Sequence, residues 1–402
     1  MPEPAPAPSR LFGLPWAAFL ACSWTWCIGM FLPVLLLRDF GPGGFVVFAV
    51  PNVLGAAAMG WVLTRPSSDA LLRAHAPAAA AFSIVTIAFH GLFITQPIQW
   101  LKQYAGVGEL WSVPVLLIVA GVACFDRHAR AAVLTLLLSL SAFAVFAVRT
   151  DLPLAESFIW PAALAAHLPA LALVCLFGFA LCPYLDLTFH RALRGAGPYA
   201  PAAFTLGFGV LFFAMILFTF RYAPTLVGRS PGRAALAIVC AHMLLQAAYT
   251  VGVHARALLV EHSSPLRRLF TFIVLAACLA AALLDISGGS TRGGPAPVAI
   301  QPGFEFLYRL FMGCYGLLFP AYVFLCILPR RDDAPVDQPR ARLVWLAACA
   351  LASPCYWLGF IERQTWWLVP GVLIVLVARL AVRRSAAAPS GSPSRPSTLH
   401  SP

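Results

Sequence analysis

The chain predicts an all-α polytopic membrane protein of about twelve transmembrane helices, and three observations carry that prediction. Of its 402 residues 61% are hydrophobic and only 10% charged, against about a quarter charged in soluble domains. Apolar stretches of the ~20 residues needed to cross ~30 Å of hydrocarbon follow one another with short polar loops between them. The two-residue alternation of membrane β-strands is absent.

Taken in order, the stretches lie near 11–37, 43–64, 79–97, 110–125, 131–149, 158–185, 202–221, 233–254, 268–285, 303–328, 341–360 and 365–383. The first is too long, and its start MPEPAPAPSR too weakly basic, for a cleavable signal peptide. The last is followed by SAAAPSGSPSRPSTLHSP, a low-complexity tail expected to be disordered. Span two carries Ala56 and Gly60, a small-xxx-small pair that predicts close helix packing.

The net charge of +12 does not predict nucleic acid as a partner, because the arginines are spread among inter-helix loops. It reflects loop topology and anionic lipid. With the N-terminus inside, Arg65, Arg73, Arg127, Arg130, Arg191, Arg194, Arg256, Arg267 and Arg268 are among the majority of basic residues that fall on the inner side. Arg38, Lys102, Arg149, Arg221 and Arg363 are among the minority outside. Both termini are therefore expected in the cytoplasm. Lys102 is the one lysine in a chain rich in Ala, Gly and Arg, which reads as a GC-rich, bacterial genome, and hence an inner membrane. The 11 cysteines form no CxxC pair and lie mostly in apolar segments, as small apolar residues do. No metal, cofactor, catalytic residue or protein partner is predicted.

Span one contains Cys27-Ile28-Gly29-Met30-Phe31-Leu32-Pro33. Gly costs about 1 and Pro about 3 kcal/mol inside a helix, and irregular backbone at membrane depth must be buried in protein or line a cavity. Span six repeats the feature: Phe177-Gly178-Phe179-Ala180-Leu181-Cys182-Pro183, followed by the polar cluster Asp186, Thr188 and His190. Interruptions in spans five apart, hence antiparallel, predict an inverted repeat. The expected division is a cytoplasmic tail over 1–10, a first repeat over 11–150, a second over 156–328, two appended spans over 341–384 and the tail over 385–402.

These interrupted spans, with twelve crossings and an inner N-terminus, resemble secondary transporters of the leucine-transporter fold. That fold covers the amino acid–polyamine–organocation superfamily and its sodium:solute symporter relatives. The resemblance implies transport of a small organic solute by alternating access, with a site where the two breaks meet near the midplane. Span one is expected to break near Cys27–Met30 and span six near Phe177–Cys182. Trp26, Cys27, Gly29, Met30, Phe177, Gly178 and Phe179 would wall the site, and His90 and His242 would close it. Glu305 and Arg309, four apart on span ten, pair with each other or form an outer gate with Arg38.

The sodium-dependent relatives usually carry paired hydroxyls on span eight. This chain has Thr250 there, with His242 and Gln246 deeper, and it lacks the span-five lysine of some proton-coupled relatives. The coupling ion thus stays open between proton and sodium. Each intramembrane histidine also reads as a neutral side chain bonded to a neighbouring helix. Three other functions stay open at this stage. A major-facilitator transporter usually has an Asp-Arg-x-Gly-Arg-like loop, where this chain reads TRPSSDALLRAHAP. A membrane enzyme would use the Asp186/His190 pair, and a receptor or scaffold would transport nothing.

Overall fold

The computed structural model describes residues 13–102, 112–150, 158–160, 163–227, 232–261, 264–287, 300, 302–328 and 338–385. The tails expected at 1–10 and beyond residue 385 lie outside these residues. All regular structure among the described residues is helical. In order come α1 (Leu14–Trp24), α2 (Cys27–Phe40), α3 (Pro42–Val62), α4 (Arg65–Phe93), α5 (Thr95–Trp100) and α6 (Ser112–Phe125). Next are α7 (Arg130–Arg149), α8 (Leu168–Leu181), α9 (Leu187–Ala196), α10 (Ala200–Leu206), α11 (Phe213–Leu226) and α12 (Arg233–Arg256). The chain ends with α13 (Pro265–Ser287), α14 (Pro302–Gly313), α15 (Phe319–Tyr322), α16 (Gln338–Tyr356) and α17 (Leu368–Ser385).

Among the described residues nine helical stretches are long and apolar enough to cross a membrane, and α1 with α2 forms a tenth that is bent by 53°. The 14-residue apolar α6 and the 23-residue α13 occupy the two remaining expected spans. The chain is an integral membrane protein of polytopic, all-helical architecture. Below, the near face is the one where α1 begins, and the far face is the one where α2 ends.

Burial sorts the spans. Arg233–Glu261 and Pro302–Ile327 are 72% buried in their most apolar windows, against 28% for Arg130–Arg149 and for Thr365–Val382. Broken span one lies wholly inside, with every residue from Trp16 to Phe31 buried. Lipid offers no hydrophobic gain for joining helices, so close backbone approach at small residues does that work. A Cβ at Gly55 of α3 would collide with the Phe179 carbonyl of α8, and one at Gly60 would sit 2.5 Å from Phe204 of α10. Gly60 thus packs as expected, although Gly55 is the tighter contact.

Three segments differ from expectation, among them residues 187–196, which lie between expected spans six and seven and form α9. Residues 65–78, read as a loop, are helical and lengthen span three to Arg65–Trp100. The Thr64 side chain and Ser67 cap this helix reciprocally, and Pro66 fits its first turn, where no N–H is needed. Pro77 then removes one helical donor, and the helix kinks at His75, with φ −122° and ψ 23°. The helix of span six begins at Ala165, seven residues later than the expected 158.

Candidate functional site

Span one breaks at Thr25 and Trp26, just before the expected Cys27–Met30. Thr25 has φ −77° and ψ 48°, and Trp26 is extended at φ −84°, ψ −170°. Gly29 and Pro33 instead lie inside α2. At the end of α1 the N–H and the hydroxyl of Thr25 both donate to the Ala21 carbonyl (2.9 and 2.8 Å). Trp26 then starts α2 by accepting from the Met30 N–H (2.9 Å).

Backbone groups in the first turn of α2 are held by other spans. The Cys27 N–H donates to His90 Nε2 of α4 (3.2 Å), and the Cys27 carbonyl accepts from the Tyr308 hydroxyl of α14 (2.9 Å). Pro33 has no N–H, so the Gly29 carbonyl four residues earlier lacks its helical donor. Thr219 of α11 supplies one at 2.9 Å. Tyr222, one turn on, donates to the Met30 carbonyl (2.5 Å). Trp24 Nε1 donates to Asn52 Oδ1 of α3 (2.5 Å). Because His90 Nδ1 lies 2.7 Å from the Thr86 carbonyl, this nitrogen carries the proton and Nε2 accepts. His90 is therefore neutral, and it acts as the cap of α2.

Trp26 is enclosed by aromatic rings. Trp24 stacks on it at 4.7 Å, Tyr315 meets it edge-on at 4.8 Å, Phe82 lies at 5.8 Å and His90 at 6.2 Å. Its indole Nε1 has no partner. His242 of α12 sits apart from this group, 5.0 Å from the Phe218 ring and 6.3 Å from Tyr222. It is buried, and neither ring nitrogen has a partner.

Span six also breaks, but later than Phe177–Cys182. α8 continues through Leu181, tightens over Cys182–Leu185 and ends at Asp186, which is extended at φ −77°, ψ 110°. Pro183 fits the first turn of that tight segment, so the proline shapes the break from within it. Asp186 then caps α9, accepting from the Thr188 N–H and hydroxyl (both 2.7 Å). Its second oxygen is buried without a partner. The two breaks meet through Trp24 and Phe189 of α9, whose rings lie 4.9 Å apart. His190 is engaged at both nitrogens, by Ser68 (2.7 Å) and the Tyr184 carbonyl (3.0 Å).

The expected wall of the site is divided. Trp26, Cys27 and His90 form one group, while Gly29 and Met30 face α11. Phe177 packs on Phe324 (6.0 Å) and Phe179 on Phe48 (5.3 Å), so neither ring faces Trp26. Between them Gly178 lies against the Tyr315 carbonyl, 2.9 Å from where a Cβ would stand. The alternation along α8 sends these two rings to spans ten and two, one on each side.

On the far face Arg38, Glu305 and Arg309 do come together. Arg38 makes a two-pronged bond to Glu305 (2.7 and 2.8 Å), and Arg309 bonds Glu305 (2.8 Å) and Asp39 (2.6 Å). Arg363, between α16 and α17, adds a bond to Glu305 at 2.8 Å. Below the network lies a cavity of about 80 Å³, lined by Asp39, Arg309 and Arg363 at one end and by Leu36, Val174 and Met312 among its apolar walls. On the near face Glu261 accepts from Arg256 (2.8 Å) and pairs with Arg191, whose Nε lies 3.3 Å away. Arg191 lies over Trp16 and Phe19 of α1, 5.8 and 5.0 Å from their ring centres.

Sequence reasoning did not single out Thr219, Tyr222, Tyr308, Asp39 and Arg363. The missing donor at Pro33 was a readable signal that some hydroxyl must reach Gly29; which one depends on the packing.

No family model matches the chain, and no curated protein matches it in sequence. In fold the chain is similar to a solved structure, a Na+-coupled sialic acid symporter in a substrate-bound, outward-open state, with a TM-score of 0.55 at 12% identity. The match covers 92% of this chain and 90% of that one. The fold is that of the leucine-transporter type which spans one and six resemble.

Proposed function

We propose that this protein is a secondary transporter that moves a small organic solute across the bacterial inner membrane by alternating access. The observation that carries the reading is the break in span one. Four backbone groups in the first turn after it, the Cys27 N–H and the carbonyls of Cys27, Gly29 and Met30, are bonded one by one to side chains of α4, α11 and α14. Each bond leaves intact backbone polarity at membrane depth that a solute or ion can take over when the helices move. Ion pairs tie span one to span ten on the far face and α9 to the end of α12 on the near face, as two alternating gates require. The neighbour of similar fold, a Na+-coupled symporter, adds support.

The near face is cytoplasmic, with both termini there. Residues 11–150 and 156–328 are the inverted repeats, and residues 341–384 are appended. A proton is the favoured coupling ion, because His242 offers two unpartnered nitrogens beside Tyr222, which holds the Met30 carbonyl. Asp186 and His190 are committed to capping and cross-span bonds, which argues against the enzyme reading. Uptake by proteoliposomes from a panel of labelled organic solutes tests the proposal. It expects at least one solute to accumulate under an imposed pH gradient. Accumulation that needs sodium and ignores pH would overturn the coupling, and no uptake of any solute under either gradient would overturn transport.

A further inference from the structure

The far-face network is short of negative charge. Three guanidinium groups, Arg38, Arg309 and Arg363, face two carboxylates, Asp39 and Glu305. Each guanidinium has about five N–H donors, and the acceptors are oversubscribed. Glu305 Oε1 alone accepts from Arg38 (2.7 Å), Arg309 (2.8 Å) and Arg363 (2.8 Å). Arg309 turns one further N–H to the Phe360 carbonyl at 3.2 Å.

The excess positive charge stands at one end of an otherwise apolar cavity. Asp39, Arg309 and Arg363 line that end, with both Asp39 oxygens already held by arginines, and its walls include Leu171, Val174, Met312 and Leu368. Arg363 is the group best placed to turn toward an incoming ligand. Its side chain is 47% exposed, against 27% for Arg38 and 16% for Arg309. Its backbone has φ +59°, in the left-handed region that only a few per cent of non-glycine residues adopt. Such strain is kept where the surrounding structure requires it. Glu362, the adjacent acid, does not line the cavity.

We infer that this cavity takes a small organic monoanion with an apolar body, its carboxylate or similar oxyanion on Arg309 and Arg363 and its body against the walls of α2, α8 and α17. The inference rests on the transport reading for its biological meaning, but the binding itself does not. One anion would bring the network to charge balance and add acceptor oxygens where one Glu305 oxygen now serves three guanidinium groups. A cation would meet the excess positive charge, and a neutral solute would leave it uncompensated. A fully polar anion would leave the apolar walls dry and unfilled.

Isothermal titration of the nanodisc-embedded protein, with empty nanodiscs subtracted, tests this with three probes: hexanoate, hexanamide and acetate. Hexanoate is expected to bind at least about tenfold more tightly than either of the others, a ratio that corresponds to 1.4 kcal/mol. Arg363→Gln, an exposed-loop variant expected to fold, should erase most of the hexanoate advantage over hexanamide. Leu171→Phe, which fills the cavity from α8, should weaken hexanoate while leaving the melting temperature near that of the parent. Equal binding of hexanoate and hexanamide would overturn the charge argument, and equal binding of hexanoate and acetate would overturn the apolar one. Selective hexanoate binding without uptake of any solute would uphold this site and sink the transport reading. Uptake of a neutral or cationic solute without hexanoate binding would do the reverse.

Discussion

At Pro33 a missing hydrogen is answered from another helix. The Gly29 carbonyl loses its helical donor to the proline ring and gains the Thr219 hydroxyl at 2.9 Å. A buried carbonyl left unsatisfied costs about 1–3 kcal/mol, so Thr219→Val should lower stability by about that amount. Pro33→Ala restores an N–H at position 33. In that background Thr219→Val should cost much less, because the carbonyl again has its own helix to bond to. A double-mutant cycle on melting in detergent checks this. Equal costs in the two backgrounds would show that Thr219 matters for packing alone. The proline and glycine were legible in the sequence as a weak point of span one. Their physical role was not, since the break itself falls at Thr25 and Trp26, where the backbone leaves the helical region. His90 was legible as a buried polar group, yet its function as a helix cap depends on a contact 63 residues away in the chain.

Among the helices, glycine has two distinct meanings that the sequence does not separate. At Gly55 a Cβ would strike the backbone carbonyl of Phe179, and backbone cannot yield as a flexible side chain can. At Gly313 nothing lies within 4 Å. Gly313→Ala should therefore be neutral or stabilising by up to about 1 kcal/mol, the helix-propensity difference. Gly55→Ala forces α3 away from α8 and should destabilise by about 1–3 kcal/mol, the usual cost of overpacking. Thermal melting of the two purified variants distinguishes them, and equal melting temperatures would mean that α3 and α8 do not pack this closely. Most span positions were readable to within a few residues, because twenty apolar residues in a row permit little else. Residues 65–78 were not, since polar residues there masked a helix that begins with a reciprocal cap. Span six likewise looked broken at its glycine. The chain breaks at the proline and the aspartate beyond it, where a side chain is available to cap the next helix.

For the whole molecule, both ends of the proposed pathway are tied in this conformation. Arg38, Arg309 and Arg363 converge on Glu305 at the far face, and Arg191 and Arg256 converge on Glu261 at the near face. Two ties that oppose each other set the balance between conformations, and a shift in that balance needs only a few kcal/mol of differential bonding. Neutralising one acid removes two or three ion pairs from one face and none from the other. Glu305→Gln should therefore favour opening at the far face, and Glu261→Gln opening at the near face. The protein carries its own reporters of this. Cys175 is buried and lines the far-face cavity, while the Cys124 carbonyl accepts from Arg256 on the near side (3.0 Å). Alkylation by a small polar maleimide, read cysteine by cysteine in a mass spectrometer, should rise several-fold at Cys175 in Glu305→Gln. It should rise at Cys124 in Glu261→Gln, and each variant should leave the other cysteine at or below its parent rate. A rise at both cysteines in either variant would mean loosening of the fold and not exchange between two gated states, and alternating access would lose its main structural support.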